Sequence, residues 1–298
     1  MLHSQIPRTP RETGILLVVV SAVVFSSAGL FTKGVDASAW AIIFWRGIAA
    51  AGFTIAYLAM RGTFTAEIKA FKGPALLVAI LLALGTAAFI PAFKLSSVAN
   101  VALIYAAAPL VAAGLAWALL KEVPTHAVLL ASVLAVVGVF IIVSGSLGHA
   151  ALSGDALALL MTLAMAGIMV VYRAFPSTTA ALPAAASSLL LVPPALIFGD
   201  PFAIAVEELP ILIVFGLVFA VASVTLSEGA RRLPSGETAL LSALEVPLAP
   251  VLAMLILMEL PSHQAVIGGT IIFGAVIWSQ RAHSEQQCRT RPITTAGD

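Results

Sequence analysis

The chain has 298 residues, 61% of them hydrophobic and only 10% charged, with a formal net charge of +1. A soluble domain is about 45–50% apolar and about 25% charged, so no water-soluble interior of this size hides that much apolar surface. The near-neutral balance excludes a basic nucleic-acid face and an acidic tail, and a lone cysteine, Cys288, excludes a disulfide framework within the chain.

In chain order, the polar stretch Met1–Thr13 leads into an apolar run at 14–32. That run is longer than the core of a cleavable signal peptide and reads as a retained first span. Further apolar runs bounded by Gly, Pro or charge fall at 38–60, 73–93, 97–120, 126–144, 153–172, 179–198, 208–230, 235–258 and 263–281. A span needs roughly 20 mostly apolar residues, so ten fit and leave short loops. Only Lys94 to Ser97 separates the third and fourth runs, and only Arg231 to Ser235 the eighth and ninth, which predicts two tight helical hairpins. A count of nine spans would have to merge one of these pairs.

Basic residues test the count, because cytoplasmic loops accumulate Lys and Arg. With ten spans and the N-terminus inside, the inner side collects Arg8, Arg11, Arg61, Lys69, Lys72, Lys121, Arg173, Arg231, Arg232, Arg281, Arg289 and Arg291. The outer side receives Lys33 and Lys94, and Arg46 stays within a span. Both termini are therefore expected in the cytoplasm, in a multi-pass protein of a bacterial inner membrane.

The chain also repeats itself. Gly14 to Lys33 and Gly154 to Arg173 are equally long spans, each opened by Gly and closed by one base. Lys94-Leu95 followed by Pro109-Leu110 lies over Arg232-Leu233 followed by Pro247-Leu248 at an offset of 138. After a one-residue slip, Glu122-Val-Pro124-Thr-His126 lies over Glu259-Leu-Pro261-Ser-His263. The implied organisation is a tail at 1–13, a first five-helix repeat at 14–148, a second at 149–281 and a tail at 282–298. With five spans per half, the second half enters the membrane from the opposite side. The expected fold is an all-α integral membrane protein of ten transmembrane helices in two inverted five-helix repeats, an architecture shared by many secondary transporters.

These residues resemble the EamA family of the drug/metabolite transporter superfamily over nearly the whole chain, from about Gly14 to Arg281. The most specific stretch runs from Leu244-Glu245-Val-Pro247 to Met258-Glu259; its first-repeat counterpart ends in Lys121-Glu122-Val-Pro124. Lys121 and Met258 stand where the family commonly has Gly. Within the superfamily the chain is most similar to YddG-type exporters. The resemblance implies ten spans, cytoplasmic termini, a central cavity between the halves and export of aromatic amino acids and related metabolites.

Glu245 is the sharpest functional candidate, because an ionisable side chain deep in an apolar run costs about 2.5–3.5 kcal/mol by insertion scales and must face protein or water. It reads either as a proton-binding site or as a structural acid at the Pro247 and Pro250 disruption. Arg46 is the only base at comparable depth; it either pairs structurally, snorkels, or binds an anionic substrate group such as a carboxylate. Asn100 and Tyr105 are candidates for a wide cavity, with Tyr105 suited to stack an aromatic substrate and donate a hydrogen bond. Ser26, Ser27 and Ser242 either line the cavity or mediate helix contact. Trp45 joins the substrate-binding set, although Trp40, Trp45, Trp117 and Trp278 all sit near span ends, where interfacial anchoring is the default. Glu228 and Glu237 flank the Arg231-Arg232 turn and read as solvated ion pairs. Pro91, Pro109, Pro193, Pro194, Pro247 and Pro250 are expected to interrupt spans.

The five histidines are scattered, and no zinc motif, phosphate loop for ATP or nucleophile elbow is present. No cofactor is expected, energy must come from gradients, and an enzyme reading lacks a catalytic set at one depth. The expected partners are the lipid bilayer and a small amino-acid-like metabolite, not nucleic acid. Glu245 suits proton-coupled and facilitated export alike. A multidrug or nucleoside efflux carrier of the same fold is the alternative, and a non-transporting membrane scaffold is the reading from another class.

Overall fold

Thr9 starts the first helix. Its hydroxyl accepts the Glu12 N–H at 3.2 Å while the Glu12 carboxylate accepts the Thr9 N–H at 2.9 Å, and Pro10 follows at the first helical position. In the computed structural model, which describes residues 9–28, 31, 35–96, 98–144, 152–257 and 263–290, helix α1 spans Pro10–Ser26. It therefore begins inside the expected tail, because the reciprocal cap lets polar residues form its first turn.

The helices after it are α2 (Ala39–Met60), α3 (Phe64–Ala70), α4 (Gly73–Leu95), α5 (Val98–Ala106), α6 (Ala108–Leu120) and α7 (His126–Val143). The second half holds α8 (Leu152–Ala174), α9 (Ala181–Leu190), α10 (Val192–Phe198), α11 (Leu209–Ala230), α12 (Ser235–Ser242), α13 (Glu245–Leu257) and α14 (His263–Thr290). Helix α14 runs past the expected boundary at Arg281, since no Gly or Pro interrupts the chain before Pro292. Helices α4 and α11 end at Leu95 and Ala230, where the sequence places the two hairpins, but the helices joined there pack mainly on other partners. The side chains of Lys94, Asn100, Pro250 and Cys288, and residues Lys33, His149 and Glu259, lie outside what is described.

The described residues are all helix and connection, with no strand. Among the described residues, eight helical stretches are long and apolar enough to cross a bilayer: Ala39–Met60, Gly73–Ala92, Val101–Leu120, Leu152–Ala174, Ala181–Phe198, Val206–Ala230, Ser235–Ile256 and His263–Ala282. Of the other two expected spans, α1 has 17 residues, and α7 contributes the shorter apolar stretch His126–Ile142.

Packing repeats when the halves are exchanged. Helix α4 lies on α8 as α11 lies on α1; α2 packs on α11 as α9 packs on α4; α7 pairs with α14, and α6 with α12. The contact points repeat as well. A Cβ on Gly14 would lie 3.0 Å from Leu233 Cγ, and one on Gly154 would lie 2.7 Å from the Leu95 carbonyl carbon. Gly14 and Gly154, like Leu95 and Leu233, are equivalent in the sequence repeat. Each half thus sets the same glycine against the same turn of the other, and a side chain there would push the helices apart.

Short helix α3 anchors the connection after α2. The Glu67 carboxylate accepts the Leu182 N–H at 2.8 Å at the N-terminus of α9, where an anion is favoured. Burial nevertheless pushes the Glu67 carboxyl above its usual range, helped by nearby Glu228 and opposed by the Leu182 N–H and Arg231. The folded state then holds this proton more tightly than the unfolded chain, so stability falls as pH rises from the unfolded value, about 4.3, through the raised folded one. Glu67→Gln keeps the acceptor without the charge. It is expected to melt above the parent at pH 8, with the difference closing by about pH 4; coincident melting curves at both pH values would contradict this.

Candidate functional site

Two helices break at repeat-equivalent positions. The fourth apolar run is α5, a turn at Ala107, then α6; the ninth is α12, a turn at Ala243 and Leu244, then α13. Each break tightens by the same bond: the Ala107 N–H donates to the Ile104 carbonyl and the Leu244 N–H to the Leu241 carbonyl, both at 3.2 Å. Pro109 and Pro247 follow, and neither can donate to the carbonyl four residues back. Pro193 and Pro194 likewise follow the α9–α10 break at Leu191, whereas Pro91 sits within an uninterrupted α4. A membrane proline breaks its helix only where neighbours do not restore the lost bond.

The two breaks face one another. Tyr105, Ala108 and Pro109 from one, and Ala239, Ala243 and Val246 from the other, line a common cavity walled by Met169 of α8. It is closed down to about 10 Å³, room for about one water. Glu245 begins α13, next in the chain to Val246 of the cavity wall. The Tyr105 and Glu245 side chains keep part of their surface accessible. The expected roomy centre is therefore narrow here, lined mostly by small apolar side chains with one hydroxyl, that of Tyr105.

Arg46 sits elsewhere, on α2 and only 6% exposed. Its guanidinium lies 4.2 Å from the Phe219 ring centre and 5.3 Å from that of Phe215, both on α11. Phe31 stacks on Phe215 at 5.3 Å, and Phe25 meets Phe219 edge-on at 5.9 Å. Arg46 Nε is buried without a hydrogen-bond partner, and no acid pairs with the side chain among the described residues. Cation–π attraction, about 0.5–2 kcal/mol, offsets part of its desolvation. The arrangement is a donor fork held among aromatic rings. Reading the sequence singled out Arg46 but missed its rings; the available signal was Phe215 and Phe219 four residues apart on one helical face.

The remaining candidates are occupied or peripheral. The Trp45 indole N–H donates to the Pro201 carbonyl at 2.7 Å, and its ring meets Phe44 and Phe202, so it pins α2 to the loop after α10. Ser27 and Ser26 donate to the Val24 and Val23 carbonyls, and Ser242 to the Thr238 carbonyl, each within one helix end. Asn100 lies on α5, its side chain outside what is described.

At one end of the bundle, charges link the halves. Glu228 pairs with Arg231 at 2.9 Å and Arg232 at 2.5 Å, half-buried, as a turn-flanking acid should. Glu237 departs from its expected solvated state. It is 1% exposed and takes Arg11 of α1 at 2.5 Å, because the close approach of α1 and α12 covers the turn. Arg173, ending α8, donates to Glu122 at 2.6 Å. No group of three His, Cys, Asp or Glu stands together as metal ligands among the described residues.

One solved structure, described as "Crystal structure of protein", superposes with a TM-score of 0.80 over 91% of this chain and 99% of its own at 18% identity, a likeness of fold. No curated protein matches in sequence. The EamA-like transporter family matches twice, over residues 12–144 and 152–280, so both halves carry its pattern. With both halves matched, the chain belongs to the EamA-like transporter family.

Proposed function

We propose that this protein is a secondary exporter of small amphipathic metabolites, above all aromatic and neutral amino acids, of the YddG type. The observation that carries the reading is the pair of equivalent helix breaks around Tyr105 and Glu245. In inverted-repeat transporters, interrupted helices in corresponding positions of the halves form the substrate site. An apolar lining with few polar groups suits an apolar side chain. Tyr105 offers a ring face and a hydroxyl, Glu245 a carboxyl for an ammonium group or a proton, and Arg46 a fork for a carboxylate. The closed cavity requires the halves to part before substrate enters, and movement of one half against the other then exposes the site to alternate faces.

This reading takes ten spans, with α1 and α7 crossing at the lower limit of about 17 residues. It places both termini in the cytoplasm of a bacterial inner membrane, on the positive-inside argument. The ion pairs among Arg11, Arg173, Arg231 and Arg232 then belong to the cytoplasmic end.

Counterflow of labelled phenylalanine and small neutral amino acids in proteoliposomes tests it. Saturable exchange is expected, and Glu245→Gln is expected to lower it about tenfold, the value of one charged hydrogen bond, and to flatten its pH dependence. Absence of exchange by folded protein would overturn the amino-acid assignment; exchange of nucleosides or cationic drugs instead would point to the efflux alternative.

A further inference from the structure

Below the closed centre, at the end carrying Arg11 and Arg231, lies a second cavity of about 400 Å³. It forms where the loop between α6 and α7 meets the end of α8 and the start of α12, and its wall carries Glu122, Arg173, Ser235 and Glu237. Three features make this a built site. Glu237 is 1% exposed and spends one carboxylate oxygen on Arg11, while the other, Oε2, is buried with no hydrogen-bond partner. Arg173 gives its Nε to Glu122, and both side chains remain about one-third exposed. The start of α12, preceded by Pro234, has no side-chain cap, leaving first-turn N–H groups at the cavity wall.

Opposite charges are thus held a few ångströms apart on one wall, donors beside acceptors, in a space of the size that small-molecule sites take, about 300–1,000 Å³. A simple cation would meet Arg173, and a simple anion would meet Glu122 and Glu237. A zwitterion satisfies both: its carboxylate takes the free terminal nitrogens of Arg173, and its ammonium group takes the exposed side of the Glu122 carboxylate, with the buried Glu237 carboxylate adding negative charge behind the wall. We infer that this cavity is a vestibular docking site for zwitterionic α-amino acids, separate from the site between the breaks. The inference rests on the amino-acid reading and deepens it. It adds a first step of charge recognition in the vestibule, ahead of the central site.

The test is equilibrium binding to purified full-length protein of three probes sharing one ring: phenylalanine, phenethylamine, which lacks the carboxylate, and 3-phenylpropionate, which lacks the amine. Wild type is expected to bind phenylalanine at least about tenfold more tightly than either analogue. Arg173→Gln is expected to weaken phenylalanine and spare phenethylamine; Glu122→Gln is expected to weaken phenylalanine and phenethylamine and spare 3-phenylpropionate. Both positions are partly exposed, so these variants fold where Glu237→Gln, which breaks a buried pair, threatens the fold. Unchanged probe selectivity in both vestibular variants, in protein that still exchanges amino acids, overturns the vestibular site and leaves the transporter reading standing. Neither binding nor exchange of any amino acid by wild type overturns both.

Discussion

Replacing Arg46 with methionine is expected to cut amino-acid counterflow about a hundredfold, the value of a charged hydrogen bond lost from a dry site, while leaving the melting temperature unchanged or higher. The reason lies in what surrounds the guanidinium. It is 6% exposed, packed on Phe215 and Phe219, with a buried unpartnered Nε and no acid beside it among the described residues. Burying a charge under those terms costs the fold more than ring contacts return, and well-packed apolar replacements of buried ions are often neutral or stabilising. Methionine has comparable length, and its sulfur packs favourably on aromatic rings. Arg46→Lys, which keeps the charge but loses the fork, should fall between. A variant that melts several degrees lower yet retains exchange per folded molecule would instead make Arg46 a packing residue.

Gly268→Val is expected to lower the melting temperature by about 2–12 °C, taking overpacking as about 1–3 kcal/mol and about 2–4 °C per kcal/mol. At the crossing of α7 and α14, a Cβ on Gly268 would stand 2.2 Å from the Gly138 carbonyl oxygen and 3.1 Å from the Ile142 nitrogen. The reciprocal Cβ on Gly138 would stand 2.8 Å from the Gly268 oxygen. The obstacles are backbone, which cannot swing aside, so the helices must separate and lose contact along their length. Gly274, on the same helix with nothing within 4 Å of its Cβ position, is the control, and Gly274→Ala should melt like the parent. Equal melting of Gly268→Val and Gly274→Ala would remove the seam as a source of stability.

Much of the fold was legible in the chain because the bilayer constrains it strongly. Backbone groups in hydrocarbon must be satisfied within a helix, so apolar runs between Gly, Pro and charge become helices near the expected places. Positions matched in the repeat, Gly14 with Gly154 and Leu95 with Leu233, make equivalent contacts in the two halves. Helix ends were less legible. The start of α1 was set by the Thr9–Glu12 cap, and the extension of α14 by the absence of any interrupting residue.

Site residues divide along a similar line. Glu245, Tyr105 and Arg46 stand out by composition, since an ionisable or hydroxylated side chain in an apolar run needs a reason. Their relations do not stand out. That Tyr105 and Val246, the neighbour of Glu245, line one cavity depends on two breaks from opposite halves. The rings against Arg46 of α2 come from α11, and Glu237 is buried by an arginine 226 positions earlier in the chain. Trp45 and Ser242 fit a binding role by type, but each already donates to a backbone carbonyl.

By itself, then, the sequence determined the membrane environment, the helical class, the twofold repeat and the few polar groups that cross apolar territory. These follow from transfer energies and periodicity along the chain. Tertiary structure alone decided which prolines break their helices, which charges pair, and where space remains. Those depend on whether a neighbour from another part of the chain supplies the missing hydrogen bond, counter-charge or packing atom.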